Sequence, residues 1–190
     1  MKKILCILLL LLTGCSSKTS MIEIQKHVYV EKEFQDSWLE TNEFGDSYIK
    51  EELQGGYHYH FDQQFLEIFF NTGGKIELYN YSIKKNDLII SGEMIPPKTI
   101  RLVHPHLDNV TSEGVIIHEL GHYFDEKHQF SSSKQFTKLY KKYRTLFNQK
   151  TKKEYFAECF KEYVGGHQEK VKPFHSYMKT ITQKIRQKNK

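Results

Sequence analysis

The sequence predicts an α+β fold: a small N-terminal β-sheet with helices, followed by a helical half. Three observations carry that prediction. Apolar runs of strand length occur in the first 103 residues, whereas from Ser131 onward apolar residues recur at spacings of three and four. Gly55-Gly56, Asn71-Thr72-Gly73-Gly74, Pro96-Pro97 and Gly165-Gly166 punctuate the chain where elements should stop. Finally, 13 Phe, 12 Tyr and one Trp supply an aromatic-rich core of a size suited to one compact domain, expected over residues 22–190.

At the N-terminus, Lys2-Lys3 precede the apolar run Ile4 to Leu12, too short for a membrane span but suited to a signal peptide over residues 1–14. Leu12-Thr13-Gly14-Cys15 resembles a bacterial lipobox, which implies cleavage before Cys15 and lipid attachment to it. Residues 15–21 are then a lipidated polar tether, and the expected location is the extracellular face of a bacterial cell membrane. Cys159 is the one cysteine left, so no intrachain disulfide is expected and this thiol reads as a small packed side chain.

Ile22 to Val30 reads as a strand with polar interruptions, and Phe34 to Glu52 as mixed helix and loop. Asp62 can cap a short helix carrying Phe65, Leu66, Ile68, Phe69 and Phe70, closed by Gly73-Gly74. Lys75 to Ser82 is a partly alternating strand, Ile89-Ile90 a short strand or hairpin arm, and Pro96-Pro97 a loop. Ile100 to Val103 is the strand before a helix over about Thr111 to Lys127, which Asn109 or Thr111 can cap. Three helices follow: one with Phe136, Leu139, Tyr140, Tyr143, Leu146 and Phe147, one from Thr151 to Gly165, and one with Pro173 in its first turn.

Charge is divided unevenly. Residues 15–125 hold 9 Lys/Arg against 18 Asp/Glu, and residues 126–190 hold 17 against 5. The lysines are dispersed along helices, as on a solvated face, and no base-reading motif accompanies them, so nucleic acid is not an expected partner.

The central helix carries His118-Glu119-Leu120-Gly121-His122. Two imidazoles at i and i+4 share one helical face and can share one Zn²⁺, while Glu119 projects beside the position left for water. The implied chemistry is metal-assisted peptide hydrolysis, with Glu119 moving protons and a peptide or protein as substrate. Such a site needs one further protein ligand. Glu154 and Glu158 lie on one face of the next helix but one, and His128 completes an approximate His-Glu-x-x-His-x-x-Asp-x-x-His pattern, with Asp125 where a turn-permitting glycine would stand. Thr151-Lys152-Lys153-Glu154 also has capping-box spacing, which would spend Glu154 on the helix start and leave ligation to Glu158.

His118 to Asp125, read as HELGHYFD, together with EYFAE at 154–158, resembles the catalytic domain of anthrax lethal factor and the secreted Pro-Pro endopeptidases. The resemblance covers about residues 55–165, and the two acidic motifs are its specific part. It implies His118, His122 and Glu154 as zinc ligands, with Glu158 and Asp125 standing behind them to orient them. The family carries a tyrosine seven residues before the zinc glutamate to stabilise the oxyanion, where this chain has Phe147; Tyr143 or Tyr140 is the candidate substitute, and both also suit core positions. The expectation is a monomeric zinc metalloendopeptidase held to the membrane by lipid on Cys15, its substrate aligned on an edge strand such as Ile100 to Val103. The alternatives are a non-catalytic zinc-binding lipoprotein and a peptidase using His128.

Overall fold

A computed structural model describes residues 20–41, 47–85, 88–104, 113–149 and 151–189. The expected signal peptide, Cys15 and the capping candidates Asn109 and Thr111 lie outside the described residues. Among those described, no helix is long and apolar enough to cross a membrane.

The first half builds a five-stranded mixed sheet. Strands β1 (Met21–Gln25) and β2 (Val28–Glu31) form an antiparallel hairpin rather than the single strand expected over Ile22 to Val30. The polar interruption is the turn: His27 takes φ +66°, and its amide donates to Glu23 Oε1 at 2.7 Å. Helices α1 (Gln35–Leu39), α2 (Tyr48–Gln54) and α3 (Gln64–Asn71) follow; the N-cap of α3 is Gln63 rather than Asp62, which stands one residue earlier and accepts from the Gln64 amide at 3.0 Å. Strand β3 (Lys75–Tyr79) ends three residues before its expected limit, where Asn80 turns to donate to Ser37 Oγ. A separate ribbon of β4 (Ile83–Lys85) and β5 (Leu88–Ile90) leads into β6 (Gly92–Ile95) and β7 (Thr99–Val103).

The sheet order is β1-β2-β3-β7-β6, with β2, β3 and β7 parallel and the outer strands antiparallel to their neighbours. Strand β7 is therefore an interior strand, and the edge on its side is β6, which lacks the alternation that reveals a strand in sequence. Val28, Val30, Ile76, Leu78, Ile100 and Leu102 alternate onto the buried face. On the other face Glu77 accepts from Lys75, Tyr79 and Arg101, and Arg101 reaches on to Glu93.

The second half is helical, as expected. It comprises α4 (Val115–His128), α5 (Lys134–Tyr143), α6 (Lys152–Val164) and α7 (His175–Gln187). Pro173 stands in a 3-10 lead-in, Gln168–Phe174, rather than in α7 itself. The buried side chains form one aromatic-rich cluster in which Phe65 touches Phe124 and Phe160 edge-on, while Phe136 meets Phe156, Phe174 and Tyr177. Helices α4 and α6 make the most extensive helix pair and cross the centre of this core.

Candidate metal centre

Helix α4 is buried on most sides, with Ile116, Ile117, Leu120, Tyr123 and Phe124 in the core. It starts at Val115, four residues later than the sequence suggested, and its N-cap Gly114 must be a glycine: its φ is +71°, and a Cβ there would lie 2.9 Å from Lys161 Cδ and from Tyr59 Cζ. One turn later His118 and His122 present their rings on the same side, centroids 4.9 Å apart.

The approach of α6 is set by a second glycine. A Cβ on Gly121 would stand 2.9 Å from the Ala157 Cα, so the two backbones nearly touch where HELGH crosses EYFAE. That contact delivers Glu154 and Glu158 to the histidines. Thr151 caps α6 by accepting from the Glu154 amide at 3.2 Å, which is one half of the capping box. The Glu154 carboxylate does not make the other half. It lies 3.2 Å from both His118 Nε2 and His122 Nε2, and the two Nε2 atoms are 3.2 Å apart.

Three donor atoms in an equilateral triangle of this edge are positioned to hold a metal ion. A tetrahedral ion with donors at about 2.0–2.1 Å separates them by about 3.3–3.4 Å, close to this spacing. The hydrogen bonds agree. His118 Nδ1 faces Glu158 Oε2 at 3.2 Å, so Nδ1–H donates there and the Nε2 lone pair points at the triangle, toward another imidazole and a carboxylate. Convergent lone pairs need a cation. Without a metal a proton takes that role: burial opposes the charge on His118, but Glu154 and Glu158 outweigh it and push its pKa up to about 9. The same histidines hold the Glu154 carboxyl far below its usual range. Two imidazoles and a carboxylate suit zinc and other first-row divalent ions alike.

Beside the triangle, Glu119 is buried, and burial raises its pKa against the pull of His118 and His122. The Met94 amide of β6 donates to its carboxylate. Glu119 and His118 help line a cavity of about 240 Å³ with Ser91, Gly92, Glu113 and Lys161. Strand β6 lies tightly along α4 here, since a Cβ on Gly92 would come within 2.6 Å of Val115.

Other expected site residues lie elsewhere. Helix α4 continues unbroken past Asp125, so the chain never makes the turn that would return His128 to the metal. At about 1.5 Å per residue His128 stands roughly 9 Å along the axis from His122, packed on Phe130. Asp125 gives one oxygen to the Ser131 amide and the other to the Ser131 hydroxyl, at 2.6 and 2.7 Å, and so fastens the end of α4 instead of orienting a ligand. Tyr143 packs on Phe174, while Tyr140 and Phe147 pack on Tyr155, all in aromatic contacts of the core. Cys159 is buried, in keeping with a packing role.

Sequence reasoning missed Lys161, whose Nζ is 2.7 Å from Glu158 Oε1, although its position three residues after Glu158 was a usable signal. It also missed Tyr59, which inserts between Gly114 and Gly165 and donates to buried Glu162 at 3.1 Å. No local pattern marks that residue. Compared with protein-family models and with curated proteins, the chain matches none.

Proposed function

We propose that the protein is a zinc metalloendopeptidase, exported and lipid-anchored through Cys15. One observation carries the reading: a buried carboxylate, Glu119, stands beside the His118–His122–Glu154 triangle and opens onto a cavity. A zinc ion there would supply Lewis-acid polarisation of a peptide carbonyl and acidification of water. Glu119, with its pKa raised by burial, accepts a proton from the attacking water and returns it to the leaving amine. The Met94 amide holds this carboxylate in place. An extended peptide would align along β6, the outer strand of the sheet on this side, and run past the cavity.

A second reading, a non-catalytic metal-binding surface protein, draws on the placement of Tyr140, Tyr143 and Phe147 among core aromatics, which leaves the oxyanion donor unassigned. A combinatorial peptide library offered to protein lacking residues 1–15 separates the two. The peptidase reading expects cleavage by the zinc-loaded wild type and, for Glu119→Gln, retained zinc with at least a 10³-fold slower turnover, roughly the scale of general-base loss. No cleavage of any library peptide by the zinc-loaded wild type would leave the binding reading in its place.

A further inference from the structure

We propose that Lys161 is a positioning residue for the metal centre, acting through Glu158 to fix the orientation of His118. The inference rests on the His118–His122–Glu154 triangle, not on peptidase activity.

Glu158 divides its two oxygens: Oε2 receives His118 Nδ1–H at 3.2 Å, and Oε1 receives Lys161 Nζ at 2.7 Å. A carboxylate held at one oxygen can pivot about that contact, whereas one held at both has a single orientation. Lys161 is itself confined. Its side chain is 16 % exposed, its Cδ lies 2.9 Å from where a Cβ of Gly114 would stand, and its ammonium is 5.8 Å from the centroid of the Tyr59 ring. A second carboxylate, Glu162, stands 3.8 Å from the same ammonium. The stem is therefore clamped between the start of α4 and Tyr59, and the head is fixed between two anions. Such a lysine is costly to bury unless its partners are fixed too.

The connected order is Lys161, Glu158, His118, then the triangle. Its consequence is that Nε2 of His118 is aimed at the triangle before a metal arrives. Partners that orient ligand histidines typically account for about 10- to 100-fold in metal affinity, and one acting through an intervening carboxylate belongs at the lower end. Lys170 serves as an internal control. It pairs with Glu162 at 3.0 Å in the same charged network but makes no contact with Glu158 among the interactions described.

The test measures zinc affinity of the purified protein by competition with a chelating indicator, alongside the d–d absorption of the cobalt(II)-loaded form. Lys161→Met is expected to weaken zinc binding by about 10-fold and to shift the cobalt bands. Lys161→Arg, which can still reach Glu158, should stay within about 3-fold of wild type, and Lys170→Met should match it. In a Glu158→Gln background, Lys161→Met should add little further loss. If Lys161→Met does not fold, Lys161→Ala, which has no donor to offer Glu158, takes its place with the same expectation. Wild-type zinc affinity and an unchanged cobalt spectrum in the neutral variant would overturn the proposal, as would an equal loss in Lys170→Met. A wild type that binds zinc in a Lys161-dependent way yet cleaves nothing defeats the peptidase reading alone.

Discussion

Helices α5 and α6 begin alike and end differently. Each opens on a hydroxyl cap, Ser133 accepting from the Phe136 amide at 3.1 Å and Thr151 from the Glu154 amide at 3.2 Å. Each carries aromatic residues at helical spacing. Yet α5 lies on the surface with Phe136 as its one fully buried residue, while α6 buries Tyr155, Phe156, Ala157, Cys159, Phe160, Glu162 and Val164. The tyrosines of α5 pack on Tyr155 and Phe174, whereas Glu154 and Glu158 of α6 meet the two histidines. Caps and periodicity decide where a helix starts and which face is apolar. The element it crosses decides which polar side chains acquire chemistry, and α6 crosses α4 at the contact of Gly121 with Ala157.

The comparison breaks most severely at the α6 carboxylates. Glu154→Ala removes one of three donors and should lower zinc affinity by more than about 100-fold, while Glu158→Ala, which removes the partner of His118, should cost about 10- to 100-fold. Metal analysis after gel filtration and chelator competition measure both. The reverse order would move ligation to Glu158 and return Glu154 to a capping role.

Next in size is the crossing itself. Gly121→Ala puts a methyl 2.9 Å from Ala157 Cα, against which overpacking costs about 1–3 kcal/mol, partly offset by the ~1 kcal/mol better helix propensity of alanine. A net loss of about 1 kcal/mol in chemical denaturation is expected, with weakened zinc binding as α6 is pushed away. Lys138→Ala on the exposed side of α5 should stay within about 0.5 kcal/mol of wild type. A Gly121→Ala protein more stable than wild type with unchanged zinc affinity would show that α6 does not depend on this contact.

Proton linkage sharpens the comparison further. In metal-free protein the pKa of His118 is raised from 6.5 to about 9, so its stabilisation is complete below pH 6.5 and lost as pH rises through 9. Glu154 and Glu158 lie below the usual carboxylate value of 4.5, so their stabilisation is present above it and lost as pH falls through their lowered pKa values. Thermal melts in chelator should therefore show a plateau between about pH 5 and 6.5 and a decline toward pH 9. Saturating zinc, which replaces the His118 proton, should abolish the alkaline decline, and binding at pH 7 should release close to one proton in calorimetry across buffers of different ionisation enthalpy. An alkaline decline that persists at saturating zinc would contradict the assignment.

The smallest effect belongs to α5. Tyr143→Phe should alter turnover by less than about twofold, because its ring rests on Phe174 and it is its backbone carbonyl that accepts the Tyr155 hydroxyl. A loss near 10²-fold in kcat would instead give Tyr143 the oxyanion role.

Where the sequence misled, the missing information was tertiary in each case. The hairpin of β1 and β2 hides in one apolar run because its turn is made by Lys26 and His27, which carry no glycine or proline signal. Strand β6 is hidden by its composition, Gly-Glu-Met-Ile, in which every residue is half-buried. It is a strand because β7 offers a pairing edge. That pairing in turn makes β7 an interior strand and gives β6 the place beside Glu119. Asp125 and Tyr143 stood at plausible spacings from the metal residues, but spacing along a helix does not reveal which neighbour a side chain meets.

By itself the sequence determined the α+β division, the helices at 115–128 and 152–164 within a few residues, and the pairing of His118 with His122, because each follows from interactions within about one helical turn. The resemblance carried by HELGHYFD and EYFAE supplied Glu154. Only the tertiary structure decided where its carboxylate goes, to the helix start or to the histidines, where it is positioned to hold a metal ion. It let the Glu154 amide keep the Thr151 cap while the carboxylate crossed to the histidines. Lys161 behind Glu158, Tyr59 between two glycines and the edge position of β6 were likewise decided there. The physical reason is distance along the chain. Residues 32 to 103 positions apart interact only once α4, α6 and the segment around Tyr59 have been packed together, and that packing turns on the absence of a Cβ at Gly114 and Gly121.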